Sequence, residues 1–144
     1  MNVPMRFLLS RSALLAAVRQ EREMVKLLST WRPKAFAVIN PVIAEIHYGI
    51  HRADLSFEAR ELVKRQVKIL LRKIPVIPWS ADDPEAFAVI KAQTGLADAD
   101  VALALTARAH SAPIITVTPD RFVGIEGVTA QHWSTVYRQT RTGV

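Results

Sequence analysis

The sequence contains no cysteine, no long apolar run and only 5 glycines in 144 residues. Without cysteine the chain can form neither a disulfide framework nor a thiolate metal site, which is typical of a protein from the reducing cytoplasm. No stretch approaches the roughly 20 apolar residues of a membrane-spanning helix, and Arg6 and Arg11 interrupt the apolar N-terminal segment. A glycine-rich phosphate loop and a serine nucleophile elbow are also missing. We therefore expect a cytoplasmic protein without a signal peptide or membrane span.

The composition is instead a mixture of apolar and basic residues. Hydrophobic residues make up 50% of the 144 residues, enough for one real core, and we expect a single domain over residues 1–144. The 19 Lys and Arg residues outnumber the 13 Asp and Glu residues, which gives a formal net charge of +6. This excess suits a polyanionic partner, with nucleic acid as the first candidate, although small proteins are also basic for solubility alone.

Strand-like and helix-like segments alternate along the chain. Short apolar runs of strand type occupy residues 5–9, 35–39 and 113–118, and segments with helical spacing lie between them. This alternation predicts an α/β fold in which a mostly parallel central sheet lies between two layers of helices. The polar end of the chain, from about residue 136 to residue 144, predicts a mobile tail.

Polar and acidic side chains follow the predicted strands. Ser10, Arg11 and Ser12 come after the first strand, where a serine could cap a helix or face a ligand. Glu45 lies one turn into the helix after the second strand, and Asp100 lies at the start of an almost entirely apolar helix. Each acid is either a structural residue near a helix start or a metal ligand. Because carboxyl ends of parallel strands share one sheet edge, the two acids can meet there.

A long amphipathic helix is predicted between residues 54 and 73. One side of it is basic, and the residues concerned are Arg60, Lys64, Arg65, Lys68, Arg72 and Lys73. Most charged helix faces are simply solvated, whereas a functional face would contact an RNA backbone or an acidic partner. The sequence leaves both interpretations open.

Three segments carry a recognisable pattern: MRFLLSRSALL, VINPVIAEIHYGIHRA and LADADVALALTARAHSAPIITVTPDRF, with Trp133 near the end of the chain. They resemble the PIN domain family, and within it the VapC-like toxins of bacterial toxin–antitoxin pairs. The resemblance implies a ribonuclease in which three or four carboxylates hold Mg²⁺ or Mn²⁺ and RNA phosphodiesters are hydrolysed. It further implies RNA as the substrate, a small antitoxin protein as a partner and a homodimer.

Carried over by position, the resemblance makes Glu45 and Asp100 the catalytic and metal-binding acids, with Asp98 and Asp120 as acids that could assist. The remaining family site positions are polar but not acidic here, and we assign them to substrate binding: Ser10, Arg11, Ser12 and Thr118. The family's first acid corresponds to Ser10. Because a carboxylate is missing there and Arg11 adds a fixed positive charge, we expect a lower affinity for Mg²⁺.

Two functions remain open from the sequence. The first is a VapC-like endoribonuclease whose activity is weakened or lost because Ser10 replaces the first acid. The second is a catalytically inactive PIN-like protein that binds RNA or regulates a partner, using the basic helix residues Arg60, Lys64, Arg65 and Lys68 and placing Arg11 on a phosphate. The family function is the expectation, and its activity depends on the geometry around Ser10.

Overall fold

The computed structural model describes residues 5–79 and 83–141. Within these ranges the strands are Phe7–Leu9 (β1), Phe36–Ile39 (β2), Val76–Ile77 (β3), Ile114–Ile115 (β4) and Ala130–Gln131 (β5). The α-helices are Arg11–Val18 (α1), Arg22–Thr30 (α2), Asn40–Arg52 (α3), Phe57–Leu71 (α4), Pro84–Thr94 (α5), Asp98–His110 (α6) and Trp133–Arg141 (α7). Short 3₁₀ helices cover Pro33–Ala35 and Pro119–Phe122. None of the helices in the described ranges is long and apolar enough to cross a bilayer.

The strands form one sheet in the order β3-β2-β1-β4-β5, and every pairing in it is parallel. Leu8 of β1 pairs with Ala37 of β2 on one side and with Ile114 of β4 on the other. The predicted α/β fold with a parallel central sheet is therefore confirmed. After β1 the chain adds β2 and then β3 on one side of β1. It then adds β4 and β5 on the other side of β1, so the strand order reverses between β1 and β4. Such a switch point opens a crevice at the carboxyl ends of the strands, where α/β proteins place their ligands.

The core lies on both faces of the central strands. All residues of β1 and β2 are buried, which explains why these strands are continuous apolar runs instead of alternating ones. The almost entirely apolar helix that contains Asp100 in its first turn is α6, and every residue from Val101 to Ala107 in it is buried. Alanine at three of these seven positions lets the helix approach the sheet closely, and the close packing fixes the position of its first turn.

Strand β4 is shorter than the run from residue 113 to residue 118 predicts. It ends at Ile115, because the hydroxyl of Thr116 accepts a hydrogen bond at 3.2 Å from the backbone N–H of Thr118. A side-chain hydroxyl that binds backbone two residues on favours a turn over a continued strand. The threonines therefore form a turn above the sheet edge.

The C-terminal segment contains the last helix, α7, and the mobile tail over about residues 136–144 stays a prediction. Residues up to Arg141 belong to α7, which packs against α2, and residues 142–144 lie outside the described residues. The buried indole of Trp133 donates a hydrogen bond through Nε1 to Glu21 Oε1 at 2.9 Å. Val136 is also buried. The hydrogen bond joins residues 112 positions apart, so it depends on the tertiary fold and not on local sequence.

Candidate functional site

Ser10 and Ser12 form a network of hydroxyl groups at the switch point. Ser10 is only 4% exposed, and its Oγ accepts a hydrogen bond from Ala13 N at 3.3 Å, so it is the N-cap of α1. The same Oγ lies 3.0 Å from Ser12 Oγ. Ser12 in turn accepts a hydrogen bond from Val117 N at 3.0 Å, and its hydroxyl lies 3.4 Å from Thr116 Oγ1. Neutral hydroxyls thus connect β1 and β4 where the family pattern has its first acid.

Glu45 and Asp100 lie near enough to each other for their charges to interact. Asp100 is in the first turn of α6 and Glu45 is in α3, which follows β2 directly. Burial raises the pKa of Glu45, and the negative charge of Asp100 raises it further, while Arg11 and Arg121 lower it. The pKa of Asp100 is likewise raised by burial and lowered by Arg121 and Arg11. The two carboxylates are therefore close enough to interact, and both are partly offset by two guanidinium groups.

Arg121 is the site residue that the sequence did not identify. It belongs to the 3₁₀ helix Pro119–Phe122, and its Nη2 atom lies 3.8 Å from Asp100 Oδ2. In the sequence this turn offers Asp120 as a candidate acid, and the adjacent cation is not part of the family pattern. A basic residue next to a candidate acid in the turn that follows β4 is the signal that could have found it.

The other acids of the pattern do not join Glu45 and Asp100. Asp98 starts α6 but contacts Lys91 Nζ on α5, so its carboxylate already has a partner away from the crevice. Asp120 is exposed in the turn, where its neighbour Arg121 contacts Asp100 instead. Thr118 is also exposed, with its hydroxyl 3.4 Å from that of Thr116. Of the four predicted catalytic acids, the structure brings two together.

A divalent-metal site needs more acidic ligands than this crevice offers. Among the described residues, no group of three or more His, Cys, Asp and Glu side chains is placed to hold an ion. Mg²⁺ and Mn²⁺ prefer several oxygen ligands with negative charge, and here two carboxylates share their environment with two guanidinium groups. The residues present therefore do not fit an ion site built from three or four carboxylates.

The predicted basic face divides into two parts on α4. Lys64, Arg65 and Lys68 line an open groove beside α3, together with Arg72 and His47. Arg60 does not line this groove. It is half-buried, and its Nε atom has no hydrogen-bond partner among the described residues.

Comparison with known proteins identifies the fold. The model of the PIN domain matches residues 7–123, which cover both carboxylates and the whole switch point. The chain belongs to the PIN domain family. No curated protein sequence matches it.

Several solved structures share this PIN fold. VapBC2 from Rickettsia felis, bound to a DNA fragment from its promoter, is 20% identical with a TM-score of 0.74, over 90% of this chain and 99% of that chain. DNA-bound VapBC from Salmonella typhimurium is 14% identical with a TM-score of 0.75, over 90% and 98% of the two chains. PAE2754 from Pyrobaculum aerophilum is 16% identical with a TM-score of 0.73, over 99% of each chain. The predicted VapC-like PIN architecture is therefore confirmed.

Proposed function

We propose that this PIN domain protein is the VapC-like partner in a toxin–antitoxin pair, that it binds RNA, and that its ribonuclease activity is far below that of a complete acidic site. The single observation that carries the proposal is the compensated pair: Glu45 and Asp100 lie together with Arg11 and Arg121, and hydroxyls occupy the position of the first acid.

The chemistry of phosphodiester hydrolysis explains the expected loss. In a complete site, carboxylate-bound ions activate water and stabilise the attacking and leaving oxygens. In this chain Ser10 contributes no negative charge, and its hydroxyl already accepts the N-cap hydrogen bond of α1. Arg121 and Arg11 lower the electrostatic attraction of the remaining carboxylates for another cation. The crevice therefore contains two carboxylates, where a complete family site has three or four, and two fixed positive charges lie beside them.

Two observations support an antitoxin as the partner: the similarity to solved structures and one apolar surface of this chain. Structures that share the fold include the toxin–antitoxin complexes of Rickettsia felis and Salmonella typhimurium. In this chain an apolar groove between α1, α3 and α4 reaches Glu45, and it is lined by Leu15, Val18, Ile46 and Ile50 among others. An amphipathic helix could bury its apolar side there. By family resemblance we also propose a homodimer, which light scattering after size exclusion can measure.

A second candidate function is residual Mg²⁺- or Mn²⁺-dependent endoribonuclease activity. The observation in its favour is that Glu45 and Asp100 still lie near enough for their charges to interact, each with a raised pKa. Acids with perturbed pKa values in a crevice are typical of functional sites.

The experiment that separates the two candidates is cleavage of a labelled RNA in Mg²⁺ and in Mn²⁺. Wild type, Asp100→Asn and the double variant Ser10→Asp/Thr118→Asp are compared under identical conditions. We expect wild type to cleave no faster than Asp100→Asn, and the double variant, which restores both missing acids, to cleave faster. Metal-dependent cleavage by wild type that disappears in Asp100→Asn would refute the loss of activity and establish the ribonuclease.

A further inference from the structure

A groove between α3 and α4 is lined by a group of basic side chains outside the acidic crevice. Four permanent cations line it, and they are Lys64, Arg65, Lys68 and Arg72. His47 of α3 lines it from the opposite side. We call this surface the α4 groove.

The α4 groove is strongly positive because little negative charge offsets its cations. Glu61 is the one acid among its described lining residues, and its Oε1 lies 3.7 Å from Lys64 Nζ. Such partly exposed pairs at i,i+3 spacing contribute little and are screened by salt. Arg65, Lys68 and Arg72 are all exposed. Three cations therefore remain available to a ligand from solution.

The spacing of the cations matches a linear polyanion. Lys64 and Lys68 lie four residues apart on α4, and Arg72 follows at the same interval as the C-cap of the helix in the αR conformation. The three residues therefore repeat about every 6 Å along one side of the helix. A nucleic-acid strand presents phosphates at regular intervals, and cations in a row can each neutralise one. A compact anion would need converging side chains instead of a row.

The α4 groove is distinct from the acidic crevice. His47 and Glu45 are two residues apart on α3, which places them about 200° apart around the helix axis. The apolar groove that reaches Glu45 is lined by Val63 and Gln66 of α4, which do not line the α4 groove. A ligand in one groove does not have to displace a ligand in the other.

We propose that the α4 groove is the site where this protein binds the RNA backbone. The inference rests on the proposed function in taking RNA as the partner, and it adds the place and mode of binding. No Phe, Tyr or Trp side chain is among the described residues that line the groove, and the imidazole of His47 is the one ring there on which a base could stack. Binding is through phosphates, is largely independent of sequence and weakens with salt.

The test is binding of a fluorescent single-stranded RNA, measured by anisotropy between 0.05 and 0.3 M salt, to wild type and Lys68→Gln/Arg72→Gln. Both residues are exposed, and glutamine preserves helix propensity, so the variant keeps its fold. Each lost phosphate contact lowers the salt slope by about 0.7, so we expect a decrease of about 1.4 and roughly 25-fold weaker binding at 0.1 M salt.

The matched control is Lys34→Gln/Arg138→Gln, which removes the same charge from two exposed residues outside the groove. It should bind RNA nearly as wild type does. Equal weakening in both double variants would overturn the groove as the site while leaving RNA as a partner. If wild type binds polyglutamate but not RNA, the groove serves an acidic protein and the inference fails. Neither result depends on the cleavage assay.

Discussion

Replacing Ser10 by aspartate tests the compensated acidic pair most directly. Ser10 is buried at the end of β1, and aspartate is as good an N-cap as serine, so the cap of α1 should survive. The new carboxylate nevertheless loses its hydration next to a crevice that already contains Glu45 and Asp100. An unsatisfied buried polar group costs about 1–3 kcal/mol, and we expect Ser10→Asp to be destabilised by about that amount without divalent ions.

Divalent ions should restore the lost stability of Ser10→Asp and should leave the stability of wild type nearly unchanged. With three carboxylates at one sheet edge, an ion at a hundred times its dissociation constant stabilises the folded state by about 2.7 kcal/mol. For a domain of this size 1 kcal/mol corresponds to about 4 °C, so Mg²⁺ or Mn²⁺ should raise the melting temperature of Ser10→Asp by roughly 10 °C. The melting temperature of wild type should change by less than about 2 °C at the same ion concentration.

Thermal unfolding followed by circular dichroism, with and without 10 mM Mg²⁺, is a suitable assay. Ser10→Asn is the matched control, because asparagine caps the helix and fills similar space without adding charge. The reasoning is refuted if wild type and Ser10→Asp gain equally from the ion, since Arg11 and Arg121 would then not prevent metal binding. It is also refuted if Ser10→Asn gains as much as Ser10→Asp.

Two further predictions concern stability. The pKa of Asp100 is raised above its ordinary value of 3.8 by burial, so its ionisation opposes folding as pH rises through that range and beyond. Asp100→Asn should therefore be more stable than wild type in urea at pH 7, and the difference should vanish near pH 3; a constant difference would contradict this sign. Trp133→Phe removes the hydrogen bond to Glu21 and should cost about 1–2 kcal/mol in urea unfolding, while equal stability would show that the α2–α7 contact is not anchored there.

The parallel sheet and the meeting of two acids could be predicted because both follow from local patterns. Continuous apolar runs gave the buried strands β1 and β2, and parallel strands bring their carboxyl ends to one edge. Glu45 and Asp100 each come directly after such a run or start a buried helix. To predict that the two acids lie at one edge of the sheet, it was therefore enough to know the order of strands and helices along the chain.

The environment of these acids could not be predicted, because it depends on side-chain directions that sequence spacing does not give. Asp98 and Asp100 are two residues apart on one helix, about 200° around its axis, so Asp98 meets Lys91 while Asp100 meets Arg121. Asp120 and Arg121 are neighbours in one short 3₁₀ helix, and it is the cation that contacts Asp100. Adjacent residues thus have opposite roles.

The balance of charge in the crevice indicates that the acidic pair is not there for stability. If Arg11 and Arg121 fully replaced a metal, the pKa values of Glu45 and Asp100 would be lowered, yet burial outweighs both arginines and the values are raised. Ionised at neutral pH, the pair costs folding free energy. Partly buried charges that cost stability are typical of sites that act on another molecule.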